Sequence, residues 1–317
     1  GIFAGLAISL LLVADFTVNN GEFQYFLAAF FIIFILGVID DVFVLKAWKK
    51  VFGQFLVATI LTAKAHLLIG NMAGFGGVFQ LNDYANYFLS FFIILLVINS
   101  FNLIDGVDGL AASLGLISCV AFGLFFLINN NFLYAMLGFS MSGALLAFLI
   151  FNFPPAKIFM GDSGSMVIGL VNAVLVIKFI QTGSSVNSFP VQSAPAIGFA
   201  ILLIPLMDVL RVFIIRLTKG TSPFEPDRNH IHHLLLNKGF SHTRVTITLM
   251  LSNVLIAFLA VLFQRININL LFTILASVFF AEVMLFKFFI PVRRRNMHVV
   301  TDNLNMKDTG NGKVLTI

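Results

Sequence analysis

The sequence predicts an all-α, polytopic integral membrane protein with about ten transmembrane helices. Three observations point there. Of 317 residues, 59% are hydrophobic and 10% are charged, where a soluble domain carries roughly 25% charged residues. The mean hydropathy is +1.01. The apolar residues also fall into runs of helical length, and helices satisfy their own backbone hydrogen bonds in hydrocarbon.

The runs follow one another closely. The first, 1–14, is short against the ~20 residues a span needs. Because it begins at Gly1 rather than Met, it predicts a chain that starts inside a longer protein. The second, 23–39, ends at Asp40-Asp41; the third, 51–69, is preceded by Lys46, Lys49 and Lys50. Runs 86–104 and 107–128 are divided by "NLIDGVDG". Run 132–152 leads through Pro154-Pro155 and "GDSGS" into 164–180. Run 195–215 contains Asp208, which pairs structurally with Arg211 at i+3. Runs 245–264 and 267–290 complete the set. No repeat, soluble domain or linker interrupts them. The expected organisation is one transmembrane domain over 1–317, with a loop at 216–243 and a basic tail at 291–317. The single cysteine, Cys119, lies in an apolar run and behaves as a small buried residue.

The net charge of +5 reflects membrane topology rather than a nucleic-acid partner. If the runs alternate across the bilayer, one side carries Lys46, Lys49, Lys50, Lys157, Arg216, Lys219, Arg228, Lys238, Arg244 and Arg293 to Arg295. The other has little beyond Lys64, Lys178 and Arg265. The Lys/Arg-rich side is cytoplasmic by the positive-inside rule. The same side holds Asp40, Asp41, Asp105, Asp108, Asp162, Glu225, Asp227 and "HIHH".

Four polar groups are thus gathered at helix ends. Adjacent Asp40 and Asp41 repel unless they share a cation or proton, although the lysines nearby are equally explained as topology signals. Asn99, Asn102, Asp105 and Asp108 recur every third residue, which on a helix gives nearly one face; capping of the next span explains one of them, not all. The spacing is not that of an EF-hand. Asp162 sits between glycines before an apolar run, suiting a helix N-cap or a metal held beside phosphate. "GDSGS" is neither a protease triad in a fitting context nor a nucleophile elbow. His230, His232 and His233 follow Arg228 without a Cys or the His-Glu-x-x-His spacing of zinc, so a phosphate-binding role fits better. Oxygen ligands for a hard cation, basic groups for phosphates and lipid-facing walls together suit phosphoryl transfer to a lipid phosphate.

The motifs "GVIDD…K", "NLIDGVDGLA", "FMGDSGS" and "DRNHIHH" closely resemble, in order over residues 1–245, those of the polyprenyl-phosphate N-acetylhexosamine-1-phosphate transferases (glycosyltransferase family 4). The resemblance implies transfer of a sugar 1-phosphate from a UDP-N-acetylhexosamine to undecaprenyl phosphate, with release of UMP and a need for Mg2+, Mn2+ being an alternative. It implies a multi-pass protein of the bacterial inner (cytoplasmic) membrane, active on its cytoplasmic face. "HIHH" after "SPFEPDR" is similar to the N-acetylglucosaminyl branch that initiates O-antigen and teichoic-acid polysaccharides. Ile231 and Leu234-Leu235 depart from the triple-His and Phe-Glu of the phospho-MurNAc-pentapeptide transferase, the alternative within the family.

The resemblance also assigns residues. Asn102 and Asp162 match the metal-binding pair. Asp40 and Asp41 match the catalytic aspartates, one of which deprotonates or orients the lipid phosphate. Lys50 matches a phosphate-contacting lysine, Asp105 and Asp108 lie near the nucleotide, and Phe159 stacks on uracil. Arg228, His230, His232 and His233 match the pyrophosphate loop. The family has a further N-terminal span before the Gly-rich entry that "GIFAGLAI" continues. A homodimer is left open. Two readings of other classes are weaker. A secondary transporter predicts ionisable groups near the midplane between repeats, and a non-catalytic scaffold predicts incomplete motifs.

Overall fold

In the computed structural model, residues 1–13, 22–183, 185, 188–220 and 229–289 are described. Arg228 and the tail 291–317 fall outside them. The chain is helical, as expected. Helices α1 (Ile2–Val13), α2 (Glu22–Phe43) and α3 (Ala47–Ala63) lead to a hairpin of β1 (Asn71–Phe75) and β2 (Val78–Gln80). Then follow α4 (Asp83–Ile104), α5 (Leu110–Ile128), α6 (Phe132–Asn152) and α7 (Gly161–Gly183). The last are α8 (Ala194–Ile201), α9 (Leu203–Thr218), α10 (Ile231–Asn237), α11 (His242–Leu262) and α12 (Ile268–Met284), which ends in a π-helical turn, Leu285–Phe289.

All ten apolar runs become helix, but the number of crossings is lower than ten. Seven helices among the described residues are long and apolar enough to cross a membrane, and α8 with α9 makes an eighth if counted together. The runs 1–14 and 51–69 yield helices of only 12 and 17 residues. At 1.5 Å per residue these cover less than the ~30 Å hydrocarbon thickness.

Helix α7 is the axis of the bundle. From Met166 to Ile177 it is apolar on all sides but for Asn172, and every residue from Gly164 to Ile177 is buried, as expected of a helix without a polar face. It packs against α2, α4, α5 and α8. Two glycines set how closely. A Cβ on Gly37 of α2 would lie 2.3 Å from the Ser163 Cα. One on Gly169 of α7 would lie 2.7 Å from the Ile98 Cα of α4. Small residues bring helix backbones together where no hydrophobic effect operates between them.

The helices alternate in direction. Contacts among the C-terminal ends of α2, α4 and α6 and the N-terminal ends of α3, α5, α7 and α11 therefore fall at one end of the bundle. The hairpin occupies the opposite end, where its turn residue Gly76 donates its N–H to Asn269 Oδ1 of α12 at 2.7 Å.

The α8–α9 pair bends by 84°. The break at Leu202 leaves backbone groups unpaired, and one buried side chain from α11 takes them both. Asn253 donates through Nδ2 to Ile201 O at 2.8 Å and accepts from Ile204 N–H at 3.1 Å. Asn253→Leu strands a donor and an acceptor together, so it is expected to destabilise the protein by about 1–3 kcal/mol. The loss is measurable as a lower thermal midpoint in detergent, and an unchanged midpoint would discount this staple.

Candidate active site

The site is built around the first turn of α7. Lys50, one turn into α3, reaches across to place Nζ 2.6 Å from Asp162 Oδ2. The same ammonium is ion-paired with Asp40 Oδ2 at the end of α2. Asp40 is buried at 3% exposure, and its Oδ1 accepts from Leu45 N–H at 2.7 Å. One cation is thus shared by two carboxylates from different helices. The expected sharing of a cation within the aspartate pair takes another form: Lys50 is shared by Asp40 and Asp162, and Asp41 has backbone donors instead.

Asp41 takes a different task. Its two oxygens accept from the backbone N–H groups of Asp162 at 2.7 Å and Ser163 at 3.1 Å. It caps the N-terminus of α7 from another helix, satisfying donors that have no intrahelical partner. Asp162, read from sequence as a candidate N-cap, is itself in the first turn of α7 and is held by that cap. Gly161 makes room, since its φ is +69° and a Cβ there would lie 2.8 Å from both Asp41 oxygens.

From α4, Asn102 Nδ2 donates to Asp162 Oδ1 at 2.8 Å and to Ser165 Oγ at 3.0 Å. The two residues matched to a metal pair therefore do meet, from positions sixty residues apart. Among the described residues no group of three or more His, Cys, Asp or Glu stands ready to enclose a metal. A carboxylate and a carboxamide beside further acids fit the sparse protein ligation of Mg2+, which relies on waters and substrate phosphates for its remaining ligands.

The three-residue periodicity of Asn102, Asp105 and Asp108 does not continue as one helical face. Helix α4 ends at Ile104, and a turn carries the chain to Gly109, which begins α5 in the left-handed region at φ +73°. Neither Asp105 nor Asp108 caps α5. Instead the three side chains diverge. Asp108 Oδ2 lies 3.3 Å from His242 Nδ1 and accepts from Ala156 N–H at 3.3 Å, while its carbonyl accepts from Thr246 Oγ1 at 2.8 Å. It ties α11 and the 153–160 loop to the α4–α5 turn. Asn152 reinforces that link, accepting from Gly109 N–H at 3.0 Å and donating to Ile158 O at 2.8 Å. Phe159, on the same loop, is 81% exposed.

Asp105 is half-buried among acids. Burial, then the charges of Asp162, Asp41 and Asp108, push its carboxyl up to about 8. Its folded value lies above the ordinary 3.8, so the folded state binds the proton more tightly. Stability therefore falls as pH rises from about 4 to about 8 and levels off above. The thermal midpoint is expected to follow that course, and Asp105→Asn to remove most of the slope. A wild-type midpoint flat between pH 5 and 8 would contradict the crowding of charge.

The histidine loop is seated by a residue whose importance the sequence understated. Asp208 of α9 does pair with Arg211, at 3.2 Å. It also takes His230 Nδ1 at 2.9 Å and Ile231 N–H at 2.8 Å. Arg211 further donates to Asn229 O. His230 and His232 are buried, with rings 5.6 Å apart and nearly parallel. His233 follows with its ring 4.3 Å from that of His232. Burial holds His232 down at about 3 against the pull of Asp208, so it is a neutral imidazole at pH 7. Its Nε2 fills the space a Cβ on Gly106 would need, 2.6 Å away. The "HIHH" and "NLIDGVDG" segments are therefore in contact, which places the histidines beside the acidic cluster.

The glycosyl transferase family 4 profile matches residues 23–180, the stretch from α2 through most of α7. An undecaprenyl-phosphate alpha-N-acetylglucosaminyl 1-phosphate transferase of Yersinia pestis is 30% identical over 271 residues, covering 84% of this chain and 72% of that protein. Its namesake in Escherichia coli K12 is 30% identical over 266 residues, covering 82% and 70%. A decaprenyl-phosphate N-acetylglucosaminephosphotransferase of Mycobacterium tuberculosis H37Rv is 32% identical over 278 residues, covering 81% and 69%. With the matched motifs meeting at one end of a membrane bundle, the chain belongs to glycosyl transferase family 4.

Proposed function

We propose that this protein transfers GlcNAc 1-phosphate from UDP-GlcNAc to undecaprenyl phosphate, releasing UMP, at the cytoplasmic face of a bacterial inner membrane. The product starts a cell-envelope polysaccharide. The observation that carries this reading is the convergence of Lys50, Asp40, Asn102 and Asp162 from four helices, in a chain similar to enzymes named for this transfer. The excess of Lys and Arg on the connections at this end supports the cytoplasmic assignment.

The reaction in this reading is an in-line displacement. An oxygen of the lipid phosphate bonds to the β-phosphorus of the UDP-sugar, and the bond from that phosphorus to the bridging oxygen breaks, so UMP leaves with the electron pair. Asp162 and Asn102 are the residues to hold Mg2+, which when bound neutralises pyrophosphate charge. Lys50 supplies a point charge to a phosphate oxygen once it exchanges a carboxylate for it. Asp40, released from Lys50, is the carboxylate able to take a proton from or orient the acceptor phosphate. Asp41 holds the α7 N-terminus, where partial positive charge favours phosphate. Phe159 offers a stacking face to the uracil, Asp105 and Asp108 border the nucleotide, and His230, His232 and His233, with Arg228 beside them in sequence, flank the pyrophosphate.

The test supplies the protein in nanodiscs with undecaprenyl or decaprenyl phosphate, Mg2+ and a panel of UDP-sugars, and reads UMP and lipid product. UDP-GlcNAc with undecaprenyl phosphate is expected to give both. Turnover of UDP-MurNAc-pentapeptide instead would move the protein to the peptidoglycan branch, and no UMP from any donor would overturn the reading.

A further inference from the structure

Directly beneath the site lies a second layer of contacts among the same three helices. Lys50, Asn102 and Asp162 come from α3, α4 and α7. One helical turn deeper, at i+4, i−3 and i+4, stand Gln54, Asn99 and Met166, which share their helix faces with the residues above. These three also meet. Asn99 Nδ2 donates to Gln54 Oε1 at 2.8 Å, and Gln54 Nε2 returns a bond to Asn99 Oδ1 at 3.3 Å. Gln54 Nε2 lies 3.8 Å from Met166 Sδ. Asn99 also donates to Leu95 O at 2.8 Å. Gln54 is 1% exposed and Met166 is fully buried.

From this we infer that the Gln54–Asn99 carboxamide pair is a positioning device that fixes Lys50 and Asn102 relative to Asp162. The physical reason is one of register. Apolar packing between helices is tolerant of small slides and rotations, whereas a reciprocal amide pair has one geometry in which both bonds form. In a low-dielectric interior a half-satisfied pair is costly. The pair therefore locks the rotation and height of α3 against α4, and the contact with Met166 refers both to α7. The layer above inherits that lock: a slide of α3 by 1 Å would move Lys50 off Asp162 by a similar distance. Displacements of that size cost about 10²-fold in rate when the misplaced group acts on the reacting atoms. Neither Gln54 nor Asn99 touches Asp162, so both act through their neighbours.

Ordinary interhelical glue would make the same bonds, and it predicts a different outcome. Glue affects stability alone. A positioning pair affects turnover and metal response in protein that remains folded. The inference rests on the proposed Mg2+-dependent transfer, and the experiment separates the two. Gln54→Leu, Asn99→Leu, the double variant and the exchanged pair Gln54→Asn with Asn99→Gln are compared with wild type. Measurements are kcat, KM for UDP-GlcNAc, the Mg2+ concentration for half-maximal rate, and the rise in thermal midpoint on adding Mg2+ without substrate.

Each single Leu variant is expected to lose about 10–100-fold in kcat and to need more Mg2+, with KM for the donor little changed. The double variant is expected to be no worse than the poorer single, because one bond pair has been lost once. The exchanged pair keeps both carboxamides and is expected to recover most of the loss. Additive effects of the two Leu changes, an exchanged pair no better than the singles, or variants that lose only thermal stability would each overturn the inference. Absence of UMP release by wild type would instead overturn the function. The Mg2+-dependent thermal shift needs no turnover and would still test the brace.

Discussion

Asp162→Asn is expected to lower kcat by about 10³-fold at saturating Mg2+, the scale seen when one preorganised electrostatic group is removed from a phosphoryl- or acyl-transfer site. The substitution keeps the shape of the side chain. The backbone N–H of residue 162 still reaches Asp41, and an amide oxygen is still available to Asn102. What disappears is a negative charge where three helices meet: the partner of Lys50 on one oxygen and of Asn102 on the other. A neutral carboxamide binds a hard cation more weakly than the carboxylate it replaces. The variant is accordingly expected to lose the thermal stabilisation that Mg2+ gives wild type while keeping a similar midpoint without metal. Lys50 retains Asp40 as its counterion, so the fold is not left with an unpaired charge. Retention of more than a tenth of wild-type kcat at saturating Mg2+ would remove Asp162 from the metal role and point to another acid of the cluster, Asp105 or Asp40.

How much of this was legible in the sequence differs by feature. Apolar runs located every helix but α10, which falls in the 216–243 stretch read as a loop, because transfer into hydrocarbon is a one-dimensional property of the chain. The α8–α9 bend was not legible. Leu202 lies between Ile201 and Leu203, which reads as uninterrupted helix, and the side chain that makes the break tolerable belongs to Asn253, fifty residues on. The four polar motifs were legible because charged residues are rare in such a chain, and their convergence was expected from sidedness. Their division of labour was less so. The spacing of Asn102, Asp105 and Asp108 suggested one helical face, but Gly106 and Gly109 admit a turn there, and periodicity cannot tell a helix from a turn that follows it. Asp41 looked equivalent to Asp40, although one faces Lys50 and the other caps α7, a helix more than a hundred residues away. Asp208 looked like half of an i,i+3 pair; its second and third partners lie 22 and 23 residues on. Gln54, in an apolar helix, gave no signal until Asn99 stood opposite it.

Gly37→Ala is expected to be strongly damaging, although it adds one methyl group. The new Cβ would lie 2.3 Å from Ser163 Cα, 2.6 Å from its N and 2.9 Å from Asp162 C, all backbone atoms. Ordinary contact begins near 3.4 Å, so α2 and α7 must separate by about 1 Å, a misplacement that costs about 10²-fold where catalytic groups are involved. No flexible side chain is there to yield, in contrast to Gly164, where the nearest atom is a Met160 side-chain carbon. Gly37 lies one turn before Asp40 and Asp41, so the separation falls on both of their contacts with α7. The two bonds from Asp41 to the backbone of Asp162 and Ser163 lengthen, the α7 N-terminus loses its cap, and Lys50 has to choose between Asp40 and Asp162 where it now serves both. The expected result is at least about a 10²-fold loss of UMP release, with a lower thermal midpoint. Gly143→Ala is the control. It lies mid-helix in α6, is exposed and has nothing within 4 Å of an added Cβ. There the exchange favours helix by about 0.5–1 kcal/mol and activity is expected to be unchanged. Equal behaviour of the two variants would show that the α2–α7 seam is not held at backbone contact. A large loss at Gly37 alone would establish that the position of the aspartate pair is set by the absence of a side chain one turn away.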